Sequence, residues 1–269
     1  MVFPLNRRWS LPATVILAAA LLPTGGQARV TRAGVSIFAP VLIYHHVKLL
    51  KPTDDAIERG LTVLPAQFDA QLDYLQTHRY STVTATALTA HLLKSAKLPP
   101  NPVVLTVDDG YTDVYADVYR QLRRRHMVAT FFIVPGFLNT PRYLTWRQVT
   151  DMEQHGMDIE AHSMTHPDLT TLRPEAVRQE VARSHQVLEA HLHRPIDVFA
   201  YPYGAYNAAV LSAVSRAGFQ AAFTTHQGWV ARSDQLLTLP RVYIDIDDTL
   251  AVFAGRLRAV PAVLAQDPT

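Results

Sequence analysis

Short apolar runs alternate with longer segments of helical periodicity along almost the whole chain. The apolar runs predict seven strands, at residues 38–47, 103–107, 129–134, 157–161, 198–201, 219–224 and 241–246. The segments between them repeat apolar residues at a helical spacing, and they predict helices at residues 65–78, 84–94, 113–126, 145–155, 174–193, 207–217 and 249–257. The polar segment 48–60 is expected to be a loop. Strands that alternate with helices indicate a parallel sheet with crossover helices, and about seven such units close, or nearly close, into an α/β barrel.

The composition limits both the number of domains and the kinds of metal site. The chain has 269 residues, 48% of them hydrophobic, which suits one large α/β domain or two small ones. No internal repeat or low-complexity linker divides it, so one domain is favoured. Cysteine is absent, which excludes disulfides and thiolate metal sites. Any metal ion must therefore be held by His, Asp or Glu side chains, and the twelve histidines leave room for that.

The amino-terminal segment has the three parts of a secretory signal peptide. Arg7 and Arg8 precede an apolar run from Leu11 to Leu22, and Gly26-Gln27-Ala28 resembles a cleavage site. The run is well short of the roughly 20 residues that span a bilayer as a helix, which disfavours the alternative of an uncleaved membrane anchor. We therefore expect a periplasmic or secreted protein with no transmembrane segment after cleavage, composed of a signal peptide (1–28), a linker (29–39) and one folded domain (40–269).

The charge balance argues against a nucleic-acid partner. Cleavage after residue 28 would remove two arginines and no acidic residue, leaving 23 basic and 23 acidic residues. The formal net charge of +2 is thus carried by the predicted signal peptide. A balanced domain has no electrostatic footprint for nucleic acid.

Three polar motifs directly follow predicted strands, where sites in α/β barrels lie. They are Asp108-Asp109-Gly110, the segment 162–166 (HSMTH) and the segment 201–204 (YPYG). Taken singly, the first is typical of a turn or helix N-cap, the second arises by chance on helices, and the third is typical of a rigid turn. Two histidines four residues apart also have a metal-chelating spacing. The joint occurrence of the three motifs at strand ends favours a functional site.

The segments TVDDGY, HSMTH and YPYG resemble the signature motifs of the polysaccharide deacetylases, carbohydrate esterase family 4, also called the NodB-homology domain. The resemblance covers residues 40 to about 257. It implies an α/β fold of the distorted (β/α)7 barrel type, with residues 40–269 as the catalytic domain. It also implies a hydrolase that removes N-acetyl groups from a polysaccharide, which would be its partner.

The resemblance implies a role for each matching residue. Asp109, His162 and His166 match the ligands of one divalent metal ion, for which zinc is the default and cobalt, nickel or iron would also suit the donors. Asp108 matches the general base that takes a proton from water. Tyr203 matches the residue whose backbone N–H helps to hold the oxyanion.

The first predicted strand resembles a variant of the family. VLIYHHV, at residues 41–47, is similar to the arrangement in which this strand stands at the front, a circular permutation of the barrel relative to many members. This arrangement would make His45 the general acid, whereas His46 should point the other way along a strand. The alternative is that His45 is a core histidine. This variant is most similar to deacetylases of poly-β-1,6-N-acetylglucosamine.

The chain departs from the family at the residue that tunes the base. Other members often have an arginine two residues before the proline of the third motif, where this chain has Ala200. That arginine helps to set the pKa of the base. Arg241, within the last predicted strand, is our candidate for a spatial substitute.

Two competing functions stay open at this stage. An enzyme of the same barrel could act on peptidoglycan or chitin-type oligomers, because the sequence does not separate the glycans. An inactive glycan-binding subunit could keep the fold. The second alternative usually requires a broken site, whereas both acids, both ligand histidines and the front histidine are present.

Overall fold

The computed structural model describes residues 39–231 and 235–258. The predicted signal peptide, nearly all of the linker and the end of the catalytic domain beyond residue 258 lie outside the described residues. The strands are β1 (Val41–Tyr44), β2 (His46–Val47), β3 (Thr62–Val63), β4 (Ser81–Val83), β5 (Pro102–Val107), β6 (Thr130–Ile133), β7 (Asp158–Ala161), β8 (Val198–Ala200), β9 (Ala221–Gln227) and β10 (Leu239–Tyr243). The helices are α1 (Ala56–Gly60), α2 (Pro65–Thr77), α3 (Ala85–Lys94), α4 (Arg120–Arg124), α5 (Trp146–Gln154), α6 (Pro174–Leu192), α7 (Ala208–Arg216) and α8 (Leu250–Arg256).

Seven parallel strands form a closed barrel. Their order is β1-β10-β9-β8-β7-β6-β5, and β1 also pairs with β5, which closes the ring. β4 pairs with the start of β5, and β2 and β3 form a separate small parallel sheet. The predicted (β/α)7 barrel is therefore confirmed. Because all strands run in one direction, their carboxyl ends meet at one end of the barrel.

Alternation along each strand divides the core into two regions. On β5, Val103, Leu105 and Val107 join the large core that includes helix residues such as Phe68. Val104, between them, joins a smaller cluster made mainly of strand residues, which includes Leu88 of α3. Successive side chains of a strand point to opposite faces, so the second set faces the barrel interior. Asp108, one step beyond β5, continues the inward set.

The structure differs from the prediction where elements are short. The segment 48–60, expected to be a loop, contains α1, whose N-cap Asp55 accepts a hydrogen bond from the Glu58 N–H. The predicted strand 38–47 is broken at His45 into β1 and β2. The predicted helix 113–126 begins as a π-helical turn, Val114–Tyr119, before α4. β3 and β4 were not predicted, because two or three residues carry too little periodicity to be detected.

A membrane-spanning helix is not found within the described ranges, since each helix there is too short or too polar to cross a bilayer.

We expect the stability of the barrel to depend on the helix–strand core. Leu72 of α2 is fully buried, whereas Leu93 of α3 is 43% exposed. Leu72→Ala should lower the free energy of unfolding by roughly 2–5 kcal/mol, because it leaves a cavity in a packed core. The matched change Leu93→Ala should cost at most about 0.5 kcal/mol. Urea unfolding followed by circular dichroism measures both, and equal losses would contradict this division of the core.

Candidate active site

The three sequence motifs meet at the carboxyl end of the barrel. Asp108 and Asp109 follow β5, His162 follows β7, and Tyr203 lies in the turn after β8. Their side chains line a cavity of about 200 Å³. The lining residues are His45, Ile57, Leu61, Asp108, Asp109, His162, His166, Tyr201, Tyr203, Thr225 and Tyr243.

Asp109, His162 and His166 converge on one point in this cavity. Asp109 Oδ1 lies 3.3 Å from His162 Nε2 and 3.2 Å from His166 Nε2. One ligand atom from each residue lies within 4.8 Å of the other two. Two histidines and one carboxylate are a common ligand set for a catalytic divalent ion, because they leave coordination positions open.

The orientation of these side chains fits a metal ion. His162 Nδ1 is 2.8 Å from the Ala200 carbonyl oxygen, so Nδ1 carries the proton and Nε2 keeps its lone pair for the cavity. Asp109 Oδ1 is buried and makes no hydrogen bond with any described residue. Two ligands that each lie about 2.0–2.1 Å from a tetrahedral zinc ion are separated by roughly 3.3 Å, which matches the two distances from Asp109 Oδ1 to the histidine nitrogens.

The electrostatics favour the ligand forms of Asp109 and His166, whereas the pKa of His162 is raised, because the opposing effect of burial is outweighed by the neighbouring carboxylate of Asp109. Burial on its own would raise the pKa of Asp109, but the neighbouring His162 lowers it well below the usual value. Burial, together with repulsion from His162, lowers the pKa of His166 to about 4. A carboxylate and a neutral imidazole are the forms that bind metal, so both groups are ready as ligands at neutral pH.

The backbone around the site is strained. Asp109, Ser163, His166 and Tyr203 have φ between 58° and 72°, a region that non-glycine residues rarely adopt. Such conformations persist where the surrounding structure holds them, and they concentrate at functional sites. Gly204 has φ of 69°, and a Cβ there would lie 2.1 Å from Thr225 Oγ1, so the turn after β8 requires glycine.

Asp108 is paired with Arg241 inside the barrel. Arg241 Nη1 donates to Asp108 Oδ1 and Nη2 donates to Asp108 Oδ2, both at 2.8 Å. Burial on its own would raise the pKa of Asp108, but the guanidinium charge lowers it. Arg241 thus lies beside the predicted base, as a substitute for the arginine missing at Ala200 must.

His45 and His46 point in different directions. His45 lines the cavity beside Asp108 and Asp109, and burial lowers its pKa against the opposing charge of Asp109. His46 instead faces a separate cavity with Tyr111. The alternation expected along an extended strand therefore holds at this position.

Several side chains at the cavity were missed by sequence reasoning. Ile57 comes from the segment that was expected to be a loop, Leu61 directly follows that segment, and Thr225 and Tyr243 come from β9 and β10. None of them belongs to a motif. Their position at the end of a predicted strand or in the loop after β1 is the one signal that could have indicated them.

We expect one divalent ion to bind to this triad. Asp109→Asn and His166→Ala should each strongly reduce zinc binding, because each removes one of three protein ligands. His155→Ala is the matched control, since His155 lies at the end of α5, away from the cavity. Isothermal titration with Zn²⁺ and metal analysis of the dialysed protein measure the effect. Unchanged binding in Asp109→Asn would contradict the assignment.

Comparisons with known proteins agree with this arrangement. The family model described as polysaccharide deacetylase matches residues 95–222. The Bacillus subtilis protein YxkH, whose name describes it as a candidate polysaccharide deacetylase, is 31% identical over 205 residues, which cover 76% of this chain and 71% of that protein. The poly-β-1,6-N-acetyl-D-glucosamine N-deacetylase of Staphylococcus epidermidis is 24% identical over 234 residues, which cover 78% of this chain and 80% of that enzyme.

Among solved structures, the Streptococcus pyogenes deacetylase PplD, in complex with acetate, has a similar fold. It aligns with a TM-score of 0.78 and 27% identity, over 83% of this chain and all of PplD. The family that was predicted from the three motifs is therefore confirmed. With this barrel, these motifs and these relatives, the chain belongs to the polysaccharide deacetylase family.

Proposed function

We propose that this protein is a metal-dependent hydrolase that removes N-acetyl groups from N-acetylglucosamine units of a polysaccharide, with poly-β-1,6-N-acetylglucosamine as the favoured substrate. The observation that carries the proposal is the convergence of Asp109, His162 and His166 beside the Arg241-paired carboxylate of Asp108. A carboxylate that is kept ionised next to a candidate metal centre is the arrangement that hydrolysis of an amide requires.

The triad would hold one divalent ion, and its two nitrogen donors and one oxygen donor favour zinc, with cobalt, nickel or iron also compatible. An ion bound there supplies Lewis acidity, which makes an acetamide carbonyl more electrophilic and water more acidic. The protein's own part is to keep the three donors convergent. The hydrogen bond from His162 Nδ1 to the Ala200 carbonyl fixes the His162 ring, and the backbone conformations at Asp109 and His166 turn these side chains toward the same point.

Asp108 acts as the general base in this proposal. Its ion pair with Arg241 keeps it ionised, so that it can take a proton from the water whose oxygen attacks the carbonyl carbon. The Tyr203 N–H makes no hydrogen bond to the residues described in the structure, and Tyr203 borders the same cavity. It is therefore available to donate to the oxyanion that forms on the carbonyl oxygen.

His45 acts as the general acid. It borders the cavity together with the base and the triad. When the carbon–nitrogen bond breaks, His45 gives a proton to the departing amine nitrogen, and the water oxygen remains in acetate. The products are acetate and a free amino group on the sugar.

The shape of the cavity supports a sugar amide as substrate. About 200 Å³ is room for the reacting part of one sugar unit. The apolar side chains of Ile57 and Leu61 and the aromatic rings of Tyr203 and Tyr243 at the cavity suit an acetyl methyl group and the apolar face of a sugar ring. The relative from Staphylococcus epidermidis, whose name specifies poly-β-1,6-N-acetyl-D-glucosamine, supports the β-1,6-linked polymer. Peptidoglycan and chitin-type oligomers are the alternatives.

The proposed setting is the periplasm or the exterior of the cell. The signal-peptide pattern of residues 1–28 supports it. An inactive glycan-binding subunit is disfavoured, because every group that the reaction requires is present at one cavity.

We expect the wild-type protein to release acetate from β-1,6-linked poly-N-acetylglucosamine faster than from chitin oligomers or peptidoglycan. Asp108→Asn should reduce this rate by roughly 10²-fold or more, because it removes the general base, and it should still bind metal. Asp117→Asn is the matched control, since Asp117 does not border the catalytic cavity. Acetate is measured by a coupled enzymatic assay. Absence of acetate release from all three glycans by metal-loaded protein would refute the hydrolase proposal.

We also expect Arg241 to set the pH range in which the base is ionised. In Arg241→Lys, one ammonium group cannot reproduce both hydrogen bonds to Asp108, so the pKa of Asp108 should rise. The acid limb of the kcat/KM profile should then move upward by about one pH unit or more. Arg194→Lys is the matched control, since Arg194 pairs with Glu160 instead. An acid limb at the same pH in both variants would exclude a tuning role for Arg241.

A further inference from the structure

We infer that Asp113 is the positioning residue that aims His45 into the catalytic cavity. This inference rests on the proposed function, in which His45 donates the proton to the departing amine. Asp113 belongs to none of the three motifs, and it does not border the catalytic cavity. Its effect would be transmitted through His46 and Val47, the two residues that follow His45 in the chain.

The first observation is that His45 has no anchor of its own. Within residues 39–231 and 235–258, neither ring nitrogen of His45 makes a hydrogen bond, and the nearest aromatic ring, that of Tyr243, is 6.2 Å away between ring centres. A partly buried side chain without a hydrogen-bond partner can populate more than one rotamer. Its direction must therefore come from the backbone on either side.

The second observation is that Asp113 fixes the chain immediately after His45. Its Oδ1 lies 2.9 Å from His46 Nδ1, and its Oδ2 accepts a hydrogen bond of 2.9 Å from the Val47 N–H. The Asp113 carboxylate thus binds both the His46 side chain and the Val47 backbone. Charge-assisted hydrogen bonds to a carboxylate are among the stronger ones in proteins, so this contact defines the path of β2.

The third observation is that the His46 ring is also held from its face. It stacks on Tyr111 with ring centres 3.8 Å apart and an angle of 24°, and Tyr111 stacks in turn on Tyr143 at 5.1 Å. On the other side of His45, the Tyr44 hydroxyl donates to Gln71 Oε1 at 2.9 Å. Because neighbouring side chains of an extended chain point in opposite directions, fixing Tyr44 and His46 outward directs His45 inward.

The fourth observation is that the Asp113 carboxylate is not used for its local structure. Asp113 occupies the N-cap position of the π-helical turn, yet its side chain makes no capping hydrogen bond there. An aspartate at such a position ordinarily accepts from the first turn of its own helix. Here both oxygens reach instead to a segment 66 and 67 residues earlier in the chain, which links the general acid to the loop that carries Asp108 and Asp109.

The test compares an amide and an ester, of which only the amide needs a general acid to protonate its leaving group. A sugar amine must be protonated as it leaves, whereas 4-nitrophenolate leaves without a proton. We expect Asp113→Ala to lower acetate release from β-1,6-linked N-acetylglucosamine oligomers by about tenfold or more, a part of the roughly 10²–10⁴-fold that general acid–base catalysis contributes. Hydrolysis of 4-nitrophenyl acetate should stay within about twofold of wild type. His45→Ala should give the same pattern, and Asp108→Asn should lose both activities.

Two further variants sharpen the comparison. Asp113→Asn keeps an acceptor for the Val47 N–H, so it should lose less amide activity than Asp113→Ala, and it serves if the alanine variant folds poorly. Asp117→Ala removes another aspartate of the same helical segment. Asp117 makes no hydrogen bond with His46 or Val47, so this variant should leave both activities unchanged.

The outcomes separate this inference from the function on which it rests. Equal losses of amide and ester hydrolysis in Asp113→Ala and Asp113→Asn would show a general structural role and would overturn the inference alone. Unchanged amide hydrolysis in both variants would also overturn it. If the wild-type protein hydrolysed neither the N-acetylglucosamine oligomers nor 4-nitrophenyl acetate, the proposed function and the inference would be overturned together.

Discussion

A charge pair sealed inside the barrel is the interaction on which the site depends. Arg241 is fully buried and Asp108 is 2% exposed. Moving two ions out of water is costly, and the cost is recovered where the geometry is good and the remaining donors are satisfied. Arg241 meets that condition, because Nε donates to the Thr224 carbonyl and Nη1 also donates to Thr106 Oγ1. The ring of Phe132 packs 5.5 Å from the guanidinium carbon.

The strand period explains how this pair comes to lie inside the barrel. Outward side chains such as Leu105 and Val107 join the helix-facing core, so the inward positions are free to be polar near the carboxyl end. At the opposite end, Leu88 of α3 packs with inward strand residues, and the inward acids of β7, Asp158 and Glu160, accept hydrogen bonds from Thr86 and Arg194. Polar side chains therefore lie inside the barrel at both ends, and the motif loops, with their strained backbone, surround the carboxyl end.

The parts of this structure that could be predicted are those that depend on residues close together in the sequence. The seven barrel strands are apolar runs long enough to show their period, and His162 and His166 are four residues apart in one motif. The contact between Asp108 and Arg241 joins residues 133 positions apart, so no local pattern encodes it, and the absence of an arginine at Ala200 was the one hint. The role inferred for Asp113 had no signal at all, because its partners lie in a two-residue strand whose existence depends on tertiary contacts.

The ring is completed by its first and last strands, with Leu42 opposite Val242 and Ile43 opposite Tyr243. His45 follows the first of these strands and Arg241 belongs to the last. Contacts between segments so distant in sequence need closure of a long loop, and a high share of such contacts is typical of slowly folding proteins. A nascent chain can therefore carry nearly every catalytic side chain while the barrel is still open and Asp108 still lacks its partner. Catalytic competence thus requires that the last strand of the barrel has paired with the first.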